Sequence, residues 1–507
     1  MKKSLIILFV ASLFAVSCKM DFEPVSTLPS ESAIKSAADA TKAANYFNIR
    51  LRGLYSGEFI YAGELSTDLF HAMAGFGNRG GDLYRWEMTA QSSYAENLWS
   101  SCYFSLADAN YFIEKVEGLD KTSMTDSEIA SLENYIGQAA FLKAASVYAL
   151  MEKFAPVYNA STASTDLGVM LMDSYNPTSD QTQYPGRSSV AECYKFIEDN
   201  IAIALSKITN PNKLASELIT TDAVKAFKAR VALSKGDWAT AASCASSLID
   251  SGLYPLIDAS GDKAEKEWTN LWTNDSGAEC IVQLYAKFED QSVPSTLTYG
   301  YYGYNTSGTY QPDFVPETHI LDLYSDTDIR CNWFEYVTAT ENSITGDVVV
   351  FNKFPGNPAL QSPTASISDY LQKVKPFRIA EQYLIAAEAY ARSNDDTNAA
   401  KYFNAFCKMR DPEVAETMAT GDALIKAIRD ERLKELIGEG FRFYDLKRYG
   451  EGFTRSELQN PDISTTRGSD LSIAASAYGW LWPIPQAEID SNPQIKNQQN
   501  PGYTTGK

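Results

Sequence analysis

Apolar positions recur at helical spacing through both ends of this chain. From Ile34 to Tyr55, the residues Ile34, Ala37, Ala44, Phe47, Leu51 and Leu54 share one face of a 3.6-residue helix. Trp99, Cys102, Tyr103, Leu106 and Ile113 mark a second helix, and Ile129, Leu132, Ile136, Ala140, Val147, Leu150 and Phe154 a long third one. A fourth opens at Ser189-Val190-Ala191-Glu192, where hydroxyl and carboxylate can each satisfy a free backbone N–H in a capping box. Its apolar stripe continues through Cys193, Ile197, Ile201, Ala204 and Ile208. Short links between such helices predict antiparallel pairs.

Two segments read as helical hairpins of the tetratricopeptide kind. Ala223 to Ala241 is rich in small residues that let helices approach, and Gly236-Asp237 turns the chain into a second helix through Ile249. Ala380 to Ala405 repeats the grammar, with a polar turn from Ser393 to Thr397. The two copies are far apart in sequence, so paired helices against an irregular lobe are expected in place of a continuous solenoid. That lobe runs from about Tyr254 to Lys373 and is rich in Gly, Ser, Thr, Asn and aromatics. Ile281 to Leu284 and Val348 to Phe351 are its strand-like runs. The predicted fold class is therefore mainly α, with tetratricopeptide-like helical pairs forming a platform and a loop-rich lobe carrying short strands.

The first residues change the picture of where this body resides. Lys2 and Lys3 precede an apolar run from Leu5 to Val16, a layout of a secretory signal too short for a comfortable membrane span. Ala15-Val16-Ser17-Cys18 looks like the lipobox of a bacterial lipoprotein, which implies a mature chain beginning at an acylated Cys18. Lys19-Met20-Asp21-Phe22-Glu23 resembles the surface-export signal of Bacteroidota lipoproteins, pointing to the outer face of the outer membrane.

Composition narrows the chemistry. A net charge of −20 disfavours nucleic acid and anionic lipid as partners. Only His71 and His319 are present, so a multi-histidine metal site cannot be built, and neither histidine sits in a nucleophile motif. Cys102, Cys193, Cys244, Cys280, Cys331 and Cys407 are scattered, without close pairs, and read as buried free thiols more readily than as a disulfide framework. No cofactor is implied. An Asp/Glu pair of the glycosidase type needs no histidine and stays open.

Three blocks near the C-terminus are specific. Arg378-Ile-Ala-Glu381-Gln-Tyr-Leu-Ile-Ala-Ala-Glu388-Ala389, then Glu431-Arg432 to Arg448, then Pro483-Ile-Pro485 to Tyr503, resemble in order the signature elements of the SusD/RagB family. Weaker matches carry the likeness over essentially the whole chain. Within these blocks Arg378, Glu381, Arg432, Glu435, Glu439, Arg442, Asp445 and Arg448 alternate in sign, suiting arginine–carboxylate pairing between helices, with a solvated face as the alternative. Pro483, Pro485, Pro493 and Pro501 forbid continuous helix, so the tail is expected to wrap the body.

The resemblance implies a non-enzymatic surface lipoprotein that lies over a SusC-like TonB-dependent β-barrel and captures oligosaccharide, or in some cases peptide, for import. It also implies a single body over 18–507 after a signal peptide at 1–17: a helical platform over about 31–253 and 374–455, a ligand-binding lobe over about 254–373, and a wrapping tail over about 456–507. Within the lobe, Tyr299, Tyr301, Tyr302, Tyr304 and Tyr310 are the foremost ligand candidates, because tyrosine offers an apolar face to a sugar ring and a hydroxyl to its edge. The alternative is that these rings only pack the loop. Phe76, Asn78, Arg79 and Asp82 form the second candidate group, in a glycine-rich turn with groups that can pair with sugar hydroxyls. Peptide binding, or hydrolysis by a carboxylate pair, are the competing readings.

Overall fold

The computed structural model describes residues 33–287, 298–364, 367–368, 370–455 and 457–503. The signal segment 1–17, the lipidation candidate Cys18 and the side chain of Tyr299 lie outside the described residues.

Helices α1 (Ala37–Leu54), α2 (Glu58–Leu65), α3 (Ser93–Glu117), α4 (Asp126–Phe154) and α5 (Val190–Lys207) build the first half. The predicted capping box closes at Ser189 and Glu192, and a second one, between Thr125 and Glu128, starts α4. Their apolar stripes are buried as expected: Leu132, Phe141, Val147, Leu150 and Phe154 of α4 are enclosed by α1, α3 and α5.

Helices α6 (Thr221–Lys235) and α7 (Trp238–Asp250) form the first predicted hairpin. Gly236 ends α6 with φ of 79°, a left-handed conformation that favours glycine, and Asp237 then caps α7 by accepting the Thr240 N–H. After α8 (Ala264–Thr273) and the lobe, α9 (Ile379–Arg392), α10 (Asp396–Arg410) and α11 (Gly421–Leu436) return, with Asp395 capping α10 in the same way. The two hairpins, far apart in sequence, are neighbours in the platform. Helix α9 packs directly on α7, so α4 to α7 and α9 to α11 form one stack and the lobe is an excursion from it. Ala229, Ala232, Ala241, Ala245, Ala386, Ala387 and Ala389 make that seam, where small side chains let the helices approach.

Four strand pairings occur among the described residues, and three of them tie down the lobe. Strand β1 (Phe70–Ala72) pairs antiparallel with β3 (Phe314–Pro316), and β2 (Cys280–Val282) with β6 (Phe377–Arg378). Strands β4 (Phe334–Glu341) and β5 (Ile344–Phe351) form a hairpin whose two-residue turn, Asn342-Ser343, has φ of 49° and 71°. Beyond α12 (Arg442–Tyr449), β7 (Phe453–Thr454) pairs with β8 (Ser472–Ile473).

The alternating charges of the signature blocks are buried or half-buried, and they pair. Around Glu435, Arg410, Arg378 and Arg330 all approach one carboxylate, at 3.0, 2.7 and 3.3 Å. Glu279, Asp328, Glu431 and Glu439 complete this lattice, with Lys353 and Lys434 as the further cations. Nearby, Arg230 pairs with Glu381, Arg432 with Asp445, and Arg448 with both Asp445 and Glu388. Arg442 reaches into the first half to hold Asp68 through two bonds of 2.8 and 2.7 Å. The tail wraps the C-terminus of α4: Trp482 N–H donates to the Lys153 carbonyl, and Asn500 Nδ2 donates to the carbonyls of Phe154 and Trp482. All six cysteines among the described residues are free thiols.

Candidate functional site

Both candidate loops follow from strand β1 and its partner β3. Phe70 to Ala72 leads into the Phe76–Asp82 turn, while the tyrosine segment precedes β3, so pairing β1 with β3 draws the two loops together. Asp313 is the joint. Its N–H donates to the Gly300 carbonyl, its carbonyl accepts the Met73 N–H, and its carboxylate receives two bonds from the Arg79 guanidinium, one of them 2.6 Å. Asn342 at the hairpin tip donates to the Ala74 carbonyl and closes the arrangement from the third side.

Two close approaches require glycine here. A Cβ on Gly75 would lie 1.9 Å from Glu341 Oε2, and one on Gly303, whose φ is +65°, would lie 2.3 Å from Pro312 N. Glu341 is thereby enclosed against the Gly75 backbone, and burial pushes its carboxyl up to about 7.

The tyrosines part ways. Tyr302 and Tyr310 each donate a hydroxyl to the same Glu335 carboxylate, at 2.6 and 3.0 Å, and meet edge to face at 5.3 Å. Burial and the bond to Glu335 hold the Tyr302 hydroxyl well above its ordinary pKa, so it stays a donor. Tyr304 tilts against Tyr310 at 5.1 Å, and its carbonyl accepts from the Tyr370 hydroxyl. These three rings are half-buried on the lobe surface.

Two candidate rings are interior where exposure was expected. Tyr301 is 4 % exposed and stacks on Phe70 at 4.3 Å, because the one-turn helix Thr298–Tyr302 aims successive side chains to different sides. Phe76 is 8 % exposed, wedged between Tyr84 and Phe314. Asn78 and Arg79 stand at the surface, and Asp82 is half-buried with Oδ1 accepting the Leu83 N–H.

Sequence reasoning missed Asp313, Glu335, Glu341 and the exposed Tyr336. The period-2 alternation around Val337 and Ala339 could have flagged β4 as a strand. Nothing local links Arg79 to Asp313, since that pair spans 234 residues.

The two histidines are brought together around a buried carboxylate. Nδ1 of His71 lies 3.0 Å from Glu317 Oε1, and Nδ1 of His319 lies 3.8 Å from Oε2. His71 is enclosed, burial drives its pKa down to about 4, and its Nε2 faces the Ser469 carbonyl. The pairing links β1, the helical turn Thr318–Leu321 and the tail. Among the described residues, no cluster of three or more His, Cys, Asp or Glu side chains could hold a metal ion.

Sequence and structural relatives define the class. One family model, the SusD family, matches residues 283–503, and a second, described as starch-binding associating with outer membrane, matches residues 27–233. The chain belongs to the SusD superfamily. It is 23 % identical to SusD-like protein P38 of Formosa agariphila over 98 % of each chain. A SusD superfamily protein from Bacteroides thetaiotaomicron superposes with a TM-score of 0.76 at 26 % identity, covering 92 % of this chain and 100 % of that one. A SusD-like carbohydrate binding protein from Bacteroides vulgatus gives 0.72 at 20 % identity, covering 92 % and 98 %.

Proposed function

We propose that this protein binds oligosaccharide or polysaccharide at the lobe face formed by Tyr302, Tyr304, Tyr310, Asn78 and Arg79. The observation that carries this reading is the Tyr302–Glu335–Tyr310 arrangement beside the Arg79–Asp313 pair. A carboxylate that fixes two tyrosines preorders their rings at little entropic cost on binding, and the exposed guanidinium of Arg79 gives the face a polar edge. Glycan binding also accords with the starch-binding description of the model that matches the first half.

Hydrolysis fits the face less well. The carboxyl with the raised pKa, Glu341, is packed against Gly75, and its Oε1 is sealed from solvent, so it cannot hand a proton to a glycosidic oxygen. We place the protein at the outer membrane, lipid-anchored through Cys18 and facing the exterior, where it passes ligand to a SusC-like TonB-dependent barrel. The lipobox-like Ala15-Val16-Ser17-Cys18 supports this placement, since acyl chains on Cys18 would hold the protein at the bilayer.

Calorimetry against a polysaccharide and oligosaccharide panel, run beside a peptide panel and a reducing-end release assay, tests the reading. Expected is glycan binding without release, weakened at least tenfold in Tyr302→Ala/Tyr310→Ala. Peptide binding alone, sugar release, or an unaffected double variant would overturn it. Cys18→Ala should move the protein from the membrane fraction to a soluble pool, and unchanged fractionation would refute the anchor.

A further inference from the structure

The β4–β5 hairpin has two unlike faces. Val337, Ala339, Val348 and Val350 alternate inward and pack with Met73, Val315 and Ile463. The opposite face looks into solvent and carries Tyr336, Thr338, Thr340, Thr345 and Asp347, with no lysine or arginine on either strand.

On that outer face Tyr336 is the most exposed aromatic side chain among the described residues, at 72 %. It is nevertheless fixed. Its hydroxyl donates to Asp347 Oδ2 at 3.0 Å, and Thr338, the cross-strand partner of Asp347, donates to Oδ1 at 2.7 Å. The bonds from Thr338 and Tyr336 hold the Asp347 carboxyl below the ordinary carboxylate range, so it stays an acceptor. The tail secures β5 behind them: Asn460 Nδ2 donates to the Asp347 carbonyl at 3.2 Å, and the Val349 N–H donates to Gln459 Oε1 at 2.7 Å.

The same device operates one residue earlier on β4. There Glu335 accepts from Tyr302 and Tyr310, and the Tyr310 carbonyl accepts the Thr340 N–H at 2.9 Å, which seats the tyrosine segment along the edge of β4 away from β5. Because side chains alternate along a strand, Glu335 and Tyr336 leave β4 on opposite sides. The two sets of carboxylate-anchored tyrosines are therefore separated by a single strand.

That continuity selects the occupant. An aromatic ring with an open apolar face, flanked by threonine hydroxyls and a carboxylate, offers a sugar the same kinds of contact as the lobe face does. A ligand confined to the lobe face leaves Tyr336 in water, whereas a longer chain of the same glycan reaches it by passing over β4. We propose that Tyr336, with Thr338 and Asp347, is a second contact for the glycan held at the lobe face, so that the protein selects extended chains over short ones. The proposal rests on the lobe-face reading and assigns chain-length selectivity to a residue outside that face.

The test uses the full chain and calorimetry on amylose, xylan, mannan and laminarin, together with the disaccharide and successively longer oligomers of each. Expected is an affinity that climbs about fivefold or more from disaccharide to long oligomer, the range of one added aromatic contact. Tyr336→Ala should abolish the climb while leaving disaccharide affinity and thermal melting at wild-type values, and Tyr336→Phe, which keeps the ring, should retain most of it. Tyr302→Ala/Tyr310→Ala should weaken binding at every length. Affinity that does not vary with length, or a Tyr336→Ala variant equal to wild type at every length, would overturn this proposal and leave the lobe-face reading standing. No binding by any member of the series, or full affinity in the Tyr302→Ala/Tyr310→Ala variant, would sink the lobe-face reading and this proposal with it.

Discussion

Arginine meets carboxylate at two places in this protein, with opposite consequences. Around Glu435 the groups are sealed: Arg330, Arg378 and Arg410 have side chains no more than 1 % exposed, and each answers at least two carboxylates. At the lobe face Arg79 pairs with Asp313 while remaining 60 % exposed. A lattice whose central arginines have spent their donors on carboxylates holds helices together, because those arginines have no group left to meet a ligand. An arginine tethered on one edge and wet on the other presents its charge at the surface. The difference lies in packing, since the residue types are the same.

The largest effect that would break this comparison is at Glu435. Among the described residues the lattice sets Arg330, Lys353, Arg378, Arg410 and Lys434 against Glu279, Asp328, Glu431, Glu435 and Glu439, so charge balances. Glu435→Ala leaves a buried positive charge uncompensated and should cost about 3–5 kcal/mol in denaturant unfolding, with ligand affinity of the folded fraction intact. Burial opposes ionisation of Glu435, but Arg410, Arg378 and Arg330 overcome it and hold its pKa well below 4.5. A depressed carboxylate contributes stability above its unfolded pKa and loses it as pH falls, so melting should drop on acidification below about pH 4.5, less so in the variant. A flat acid limb in wild type would contradict the pairing.

Next in size is a contrast between adjacent tyrosines. Tyr301→Ala empties a packed position against Phe70 and Phe351 and should destabilise by about 3 kcal/mol, as large aromatic truncations in cores do. Tyr302→Ala should cost far less stability and act on glycan affinity. Equal melting of the two variants would erase the distinction between core and face. At the exposed pair, Arg79→Ala should change stability by less than about 1 kcal/mol yet reduce affinity several-fold.

The smallest expected effect is a titration. Glu341 has its folded pKa raised by burial to about 7, so its contribution to stability is present below its ordinary 4.5 and is lost as pH rises through about 7. Ionisation beside Asp313 and Arg79 should also alter ligand affinity near pH 7. Glu341→Gln should remove that inflection from a calorimetric pH series, and an inflection that persists would place its source elsewhere.

Helix positions were legible because amphipathic stripes and caps are local signals. The Ser189–Glu192 box, the Gly236-Asp237 turn and the buried faces of α1, α3, α4 and α5 all follow from residues within a few positions of one another. The charged blocks were legible as pairing partners in kind, since arginine and carboxylate alternate along them. Which arginine meets which carboxylate was not, because Glu279, Asp328 and Asp68 come from outside the blocks.

The sequence by itself therefore determined the helical elements, the pairing in kind of arginine with carboxylate along the signature blocks and a tyrosine-rich, glycine-rich character for the binding loops. Tertiary structure alone decided which helices of the platform meet, with α9 against α7, because apolar seams of small residues are non-directional and can be satisfied across any length of chain. It alone decided that Tyr301 points into the core and Tyr302 out of it, a matter of one residue's rotation on a short helical turn. And it joined Arg79 to Asp313 through a strand pairing, β1 with β3, whose partners no local pattern could have matched.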